Sequence, residues 1–133
     1  MPRTTIDVRW GELDPYNHVN HATYLTYCEQ GRIAALHDIG WDMDVLEGAG
    51  FRVVVVEVTV AFKNSAGAND HLVVDSTLIH LGASASAWRQ QILRGEEVLV
   101  EATIRAACTD LSGKPVRMPN EFRSALQPLL ESA

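Results

Sequence analysis

Three side chains that can do acid–base or hydrogen-bonding chemistry lie within seven residues of one another: the carboxylate of Asp14, the imidazole of His18 and the carboxamide of Asn20. Asn20 is of a type that caps helices, and a proline-free helical pattern runs from 21 to 39. A helix N-terminus presents unpaired N–H groups and a partial positive charge. It can therefore stabilise an oxygen that acquires negative charge. The combination indicates acyl transfer or hydrolysis, with a carboxylate as base or nucleophile.

Each of these residues also has a purely structural explanation. Asp14 precedes a proline, where an Asx turn is common. His18 can serve as a loop histidine bonded to backbone, and capping alone explains Asn20. The backbone amides of His21 and Ala22 come first in the predicted helix, so they are the predicted donors to an oxyanion.

The spacing of these residues resembles the signature of hotdog-fold acyl-CoA thioesterases of the 4-hydroxybenzoyl-CoA thioesterase type. The shared pattern is Asp14, a short turn, His-Val-Asn at 18–20, three residues, Tyr24, and then Glu29 and Arg32. Residues 69–72 read Asn-Asp-His-Leu where the family often has Gly-Asp-x-Leu. A further stretch that resembles the family, Gly-Lys-Pro-Val-Arg-Met-Pro, lies at 113–119. The resemblance covers nearly the whole chain, and it implies that Asp14 acts as general base on water or attacks the thioester directly.

Four further residues are candidates for contact with the substrate. Some hotdog enzymes use a carboxylate on the central helix, which makes Glu29 a candidate, although its i, i+3 spacing to Arg32 favours a structural ion pair. Tyr24 is interpreted as a packing residue with a hydrogen-bonded hydroxyl beside the substrate. Lys63 and Arg117 are the cations predicted to meet the phosphates of coenzyme A.

Composition and the missing motifs exclude several other classes. A net charge of −6 argues against a nucleic-acid binder, and no apolar run approaches the length needed to cross a bilayer. The histidines show no metal-ligand spacing, and there is no GxSxG, GxxxxGK[ST] or GxGxxG motif. Cys28 and Cys108 form no CxxC pair and are predicted to be buried thiols. We therefore expect a cytoplasmic protein that needs neither a metal nor a cofactor and has no membrane partner.

The apolar patterning predicts a single α+β domain over 1–133. A helical period at 21–39 gives way to a period of two from residue 51 onward. The small residues Cys28, Gly31 and Ala35 predict a close approach of the helix to a sheet. The resemblance implies the hotdog arrangement, a long central helix wrapped by a five-stranded antiparallel sheet. The predicted elements are strands at 4–10, 51–62, 72–81, 85–94 and 97–108 and helices at 21–39 and 119–130, with an irregular or helical connector at 42–50.

One strand suggests that the chain works as an oligomer. Residues 51–62 are apolar on both faces for part of their length, which is typical of a strand covered on both sides. The resemblance implies paired sheets with active sites at the subunit interface, so we expect a homodimer or a homotetramer. The predicted substrate is an acyl-CoA. Two alternatives stay open: a thioesterase acting on acyl carrier protein, and a non-catalytic acyl-CoA-binding module that would have no use for Asp14.

Overall fold

The computed structural model describes residues 2–131; the predicted domain of 1–133 also includes three residues outside this range. The described chain forms one antiparallel sheet in the order β1-β3-β4-β5-β2, with its longest helix packed across β1, β3 and β4. This arrangement confirms the predicted hotdog architecture. The elements are β1 (Arg3–Asp7), α1 (His21–Asp38), α2 (Met43–Gly48), β2 (Phe51–Phe62), β3 (His71–Leu81), β4 (Ala85–Arg94), β5 (Glu97–Asp110) and α3 (Asn120–Leu126), with single 3-10 turns at Trp10–Glu12 and Gln127–Leu129.

Small residues let α1 lie very close to the sheet, as predicted. A Cβ atom placed on Gly31 would lie 2.7 Å from Val74 Cγ1 and 3.1 Å from Gln90 Nε2. The fully buried Gln90 side chain fills this contact, because its Nε2 donates to the Cys28 carbonyl oxygen at 2.8 Å and to Ser76 Oγ at 2.9 Å. Burial also raises the pKa of the Cys28 thiol to about 11, so this cysteine remains an unreactive packing group.

We expect Gly31→Ala to lower the free energy of unfolding by about 1–3 kcal/mol, the usual cost of overpacking a core. The new methyl group must displace the branched Val74 side chain or the Gln90 amide. The matched control is Gly48→Ala, at the end of α2, where an added Cβ has nothing within 4 Å. Urea unfolding of both variants measures the difference. A Gly31→Ala protein as stable as the control would show that the helix can move away from the sheet at no cost.

The structure corrects three details of the predicted elements. The first strand ends at Asp7, and Trp10 instead begins a 3-10 turn with its side chain exposed. The near-helical spacing of Leu25, Cys28, Leu36 and Ile39 predicts that they form the buried stripe of α1. Leu25 is instead 36% exposed, because the inner face of α1 is turned toward Tyr24 and Tyr27. The last α-helix stops at Leu126, since Pro128 has no N–H group to continue its hydrogen bonds.

Strand β2 forms an exposed apolar edge of the sheet. It pairs with β5, and its other edge faces no strand within residues 2–131. The pairing register shifts around Val56, which makes this residue the extra one of a β-bulge and leaves it 62% exposed. Long apolar edges are rare on isolated domains, because they pair readily with other chains. The exposed large apolar residues of this strand are Val54, Val55, Val56, Val58 and Phe62.

Candidate active site

The loop before α1 holds the Asp14 carboxylate by one of its two oxygens. Asp14 Oδ1 accepts hydrogen bonds from the backbone amides of Tyr16 at 2.9 Å and His18 at 3.1 Å. The Asp14 amide in turn donates to the His18 carbonyl oxygen at 2.6 Å, and Asn17 takes a left-handed conformation, with φ of 60°, at the tip of the turn. The Asx turn is therefore present. It leaves Asp14 Oδ2 without a hydrogen bond to any of residues 2–131 and thus able to meet a water or a substrate.

Of the two backbone amides predicted to donate to an oxyanion, one is occupied by the helix cap and the other makes no hydrogen bond within residues 2–131. Asn20 Oδ1 accepts the Ala22 amide at 3.0 Å, so the predicted capping is confirmed. The same bond occupies the Ala22 amide, which therefore is not available as the predicted second donor to an oxyanion. The His21 amide makes no hydrogen bond within the described chain. It remains the candidate donor at this end of the helix.

A cavity of about 380 Å³ opens beside this loop and the start of α1. It brings together five of the predicted site residues, which come from the loop, the helix and the end of β2. At its β2 side, the Lys63 ammonium pairs with Glu101 Oε2 at 3.3 Å, and the Lys63 side chain is half exposed. The lining residues are Asp14, His18, Val19, His21, Tyr24, Phe62, Lys63, Asn64 and Ser65.

Tyr24 is buried behind this cavity and anchors a second loop. Its hydroxyl oxygen accepts the backbone amide of Ala66 at 2.9 Å, and its ring packs against Phe62 with the ring centroids 5.8 Å apart. Burial raises the pKa of the Tyr24 hydroxyl, so the group stays a neutral hydroxyl and not a phenolate. The interpretation of Tyr24 as a packing residue with a bonded hydroxyl is confirmed.

The loop at 63–70 forms a wall of the site that the sequence did not predict. The Ala66 carbonyl oxygen accepts the Val19 amide at 2.9 Å, and Gly67 forms a bridge with His18. The sequence offered one signal for this loop: Asn69 precedes Asp70 where the resembling family often has glycine. Asn69 indeed has a positive φ of 64°, a conformation in which glycine and asparagine are tolerated best.

Glu29 lies outside this cavity, two turns farther along α1. It lines an apolar groove between α1 and β2 that consists of two adjoining cavities of about 240 and 400 Å³. The predicted Glu29–Arg32 ion pair is not formed within residues 2–131, because Arg32 Nη1 instead donates to the buried Gln90 Oε1 at 2.9 Å. Burial lowers the pKa of Arg32.

Within one chain, Arg117 lies far from this cavity in space. It is exposed, and its neighbour Val116 donates to the Cys108 carbonyl oxygen near the end of β5. Lys63, in contrast, donates its backbone amide to Leu99 near the start of β5. The nine residue-to-residue steps from Leu99 to Cys108 span about 30 Å at the usual rise of a strand. The structure therefore does not bring Arg117 together with Lys63 within one chain.

Two general features of the described chain concern metal binding and membrane-spanning helices. Among residues 2–131, no three His, Cys, Asp or Glu side chains come together in a way that could hold a metal ion. In the same range, no helix has the length and apolar character needed to cross a membrane.

Residues 8–126 match the thioesterase-like superfamily. The chain belongs to this superfamily. It is 29% identical to the long-chain acyl-CoA thioesterase FadM of Escherichia coli, over 97% of this chain and 99% of that protein. Its fold is similar to the crystal structure of the hypothetical protein TT1821 from Thermus thermophilus, with a TM-score of 0.92 and 28% identity over 97% of this chain and 99% of that one. The predicted thioesterase resemblance is thereby confirmed.

A further relative is longer than this chain. The chain is 31% identical to the chloroplastic acyl-acyl carrier protein thioesterase ATL3 of Arabidopsis thaliana, over 90% of this chain. It spans 64% of the length of that relative.

Proposed function

We propose that this protein hydrolyses acyl-CoA thioesters to a carboxylic acid and free coenzyme A. The observation that carries the proposal is the Asp14 carboxylate, which lines one cavity with the first residue of α1 and keeps one oxygen unbonded within the described chain. The superfamily and the thioesterase relatives support the same reaction class.

The proposed reaction divides the work between the carboxylate and the start of the helix. Asp14 Oδ2 takes a proton from water while the water oxygen attacks the thioester carbon. The carbonyl oxygen becomes an oxyanion that the His21 amide and the helix end stabilise. The tetrahedral centre then collapses, the carbon–sulfur bond breaks and the thiolate leaves. In the alternative, Asp14 attacks the carbon itself, the carbon–sulfur bond breaks with loss of the thiolate, and water hydrolyses the resulting anhydride.

The leaving group explains why one carboxylate is sufficient. A thiol has a pKa of about 8.5, so a thiolate can depart without a strong acid to protonate it. Water is the only co-substrate in this proposal, and no metal or redox cofactor takes part. The His18 imidazole, which lines the cavity, is proposed to orient the water or contact the acyl carbonyl, and Asn20 to keep the helix end in place.

Three residues are proposed to contact the rest of the substrate. Lys63 is proposed to exchange Glu101 for a phosphate of coenzyme A, because a surface ion pair is weak enough to be replaced. Glu29 is proposed to contact the acyl group in its groove. Arg117 can meet a phosphate only from another subunit, given its distance from Lys63 along β5.

We propose that the active form is a homodimer in which the β2 edges of two copies pair. The support is the exposed apolar edge of β2 and its continuity with the cavity, since Phe62, the last residue of β2, belongs to both. A partner along this edge would close the open side of the site. A tetramer would require a second contact, for which the described surface offers no comparable strand.

A thioesterase acting on acyl carrier protein is the second candidate, and the similarity to ATL3 favours it. The two substrates share the thioester and the phosphopantetheine arm, so the chemistry at Asp14 would be the same. They differ in what lies beyond the arm: a nucleotide in one case and an acidic protein in the other. A non-catalytic binding module is a weaker explanation, because it gives no role to a carboxylate oxygen kept unbonded beside the helix end.

The test is the release of thiol from a panel of acyl thioesters, followed with a colorimetric thiol reagent. The panel contains short, long and aromatic acyl-CoAs and one acyl group attached to carrier protein. We expect turnover of at least one acyl-CoA above the rate in buffer. Turnover of the carrier-protein thioester alone would favour the second candidate, and no release from any member would contradict the proposed hydrolysis.

A further inference from the structure

Arg94 connects three acceptors just outside the cavity. It ends β4, and its side chain is 36% exposed. Its Nη1 donates to the Asp70 carboxylate at 2.8 Å and to the Ser65 carbonyl oxygen at 3.3 Å, while Nη2 donates to Glu97 Oε1 at 2.8 Å. Because a guanidinium group presents its donors in a rigid planar fork, these three acceptors are held in a fixed relation to one another.

The two carboxylates extend this connection to both ends of the loop at 63–70. Asp70 Oδ2 also accepts the Gly67 amide at 2.8 Å, and the second oxygen of Glu97 accepts the side-chain amide of Asn64. The Gly67 amide and the Arg94 guanidinium lower the pKa of Asp70, so its carboxylate remains charged. Residues 64–70, here called the clamped loop, are therefore tied to Arg94 directly or through one carboxylate at each end.

The inner side of the clamped loop touches the candidate catalytic groups. Ala66 donates its amide to the Tyr24 hydroxyl oxygen and accepts the Val19 amide, both at 2.9 Å. Gly67 forms a bridge with His18, the residue whose amide holds Asp14 Oδ1. A chain of hydrogen bonds thus leads from Arg94 through the clamped loop to the backbone that fixes the Asp14 carboxylate.

Apart from Arg94, the clamped loop is held mainly by backbone hydrogen bonds: the Asn64 amide donates to the Leu99 carbonyl oxygen and the Asp70 carbonyl oxygen accepts the Val8 amide, both at 3.1 Å. Ala66 is its only buried residue, and the rest is half-buried or exposed. Segments with few buried contacts open locally at low free-energy cost. Strand β4, in contrast, is paired with β3 and β5 along most of its length. Loss of Arg94 should therefore loosen the clamped loop while the sheet stays folded.

We propose that Arg94 is a positioning residue for the reaction: it fixes the clamped loop and thereby the backbone at 18–19 that orients Asp14. The kinetic part of this inference rests on the proposed thioester hydrolysis. Arg94 is not among the residues that line the cavity, so it acts through other residues and not on the substrate. Its removal should reduce kcat more than it changes KM, because Lys63, the proposed phosphate contact, precedes the clamped loop and is paired with Glu101 on β5.

The experiment compares Arg94→Gln with Arg89→Gln. Arg89 lies on the same strand and makes a similarly exposed two-point ion pair with Glu131, at 2.7 and 3.4 Å, away from the cavity. We expect Arg94→Gln to lower kcat at least about tenfold with little change in KM, since a displacement of about 1 Å at a reacting group can cost two orders of magnitude. Arg89→Gln should behave as the wild type, and both variants should show similar melting temperatures.

Amide hydrogen exchange provides a second readout that does not depend on activity. In Arg94→Gln, the amides of Val19 and Ala66 should exchange faster than in the wild type, while those in the centre of β4 should not change. Faster exchange throughout the sheet would instead indicate a global structural role and would overturn the inference. So would a kcat and a local exchange equal to those of Arg89→Gln. If the wild type releases no thiol at all, the proposed hydrolysis fails, and the exchange comparison still decides whether Arg94 holds this backbone.

Discussion

Asp14→Asn is expected to lower kcat at least about a hundredfold, the range for losing a general base, and to leave binding of the substrate nearly unchanged. Asparagine has nearly the same shape, and its Oδ1 can still accept the amides of Tyr16 and His18 that now bond to the carboxylate. The turn should therefore persist. What disappears is the second oxygen, which can take a proton from water or attack the thioester.

Two measurements separate loss of chemistry from loss of structure in Asp14→Asn. Thiol release gives kcat and KM, and calorimetry with a thioether analogue of the substrate, which cannot be hydrolysed, gives the affinity. Asp44→Asn is the control, because Asp44 is an exposed carboxylate in the first turn of α2. A variant that binds the analogue as well as the wild type but hardly turns over would identify Asp14 as the reacting group. A variant with full activity would remove Asp14 from the mechanism and with it the main argument for this site.

The local elements were predictable because their signals are local. A cap at Asn20 and an uninterrupted period predicted α1 to within one residue, and the alternation in 51–62 and 85–94 predicted β2 and β4 at their observed ends. The small residues Cys28 and Gly31 predicted the close approach of helix and sheet for a steric reason that does not depend on the rest of the fold. The prediction that Leu25 lies on the buried face of α1 was wrong. Two tyrosines take the inner positions instead, and a hydrophobic period alone does not assign a tyrosine to either face.

The walls of the site were less predictable, because they depend on contacts between distant parts of the chain. Tyr24 and Ala66 are separated by 42 residues, and their hydrogen bond joins a helix to a loop with no shared pattern. The occupied Ala22 amide is a different case. Both capping by Asn20 and donation to an oxyanion were expected from the same helix end, and one amide cannot easily serve both. The sequence alone shows this competition, because the number of unpaired N–H groups at the first turn is fixed.

The apolar edge of β2 makes the second strong prediction, for Val56→Glu. Val56 is 62% exposed and is the extra residue of the bulge, so a glutamate there removes little packing within the chain. In a dimer paired along β2, the same change places a charge in a desolvated interface. A stable interface of standard size buries only about 800 Å² on each partner, so one buried charge affects a large part of it. We therefore expect the variant to be a folded monomer by analytical ultracentrifugation and to lose most of its thioesterase activity.

The control for Val56→Glu is Val45→Glu, which places the same charge on an exposed valine of α2. Val45 is the third residue after the cap Asp42, where a glutamate is favourable, so this variant should fold and assemble as the wild type does. Activity that follows the dimer fraction as the Val56→Glu protein is concentrated would show that the partner completes the site at Phe62 and Lys63. A fully active monomer would mean that one chain carries the whole site, and the exposed edge of β2 would then need a different explanation.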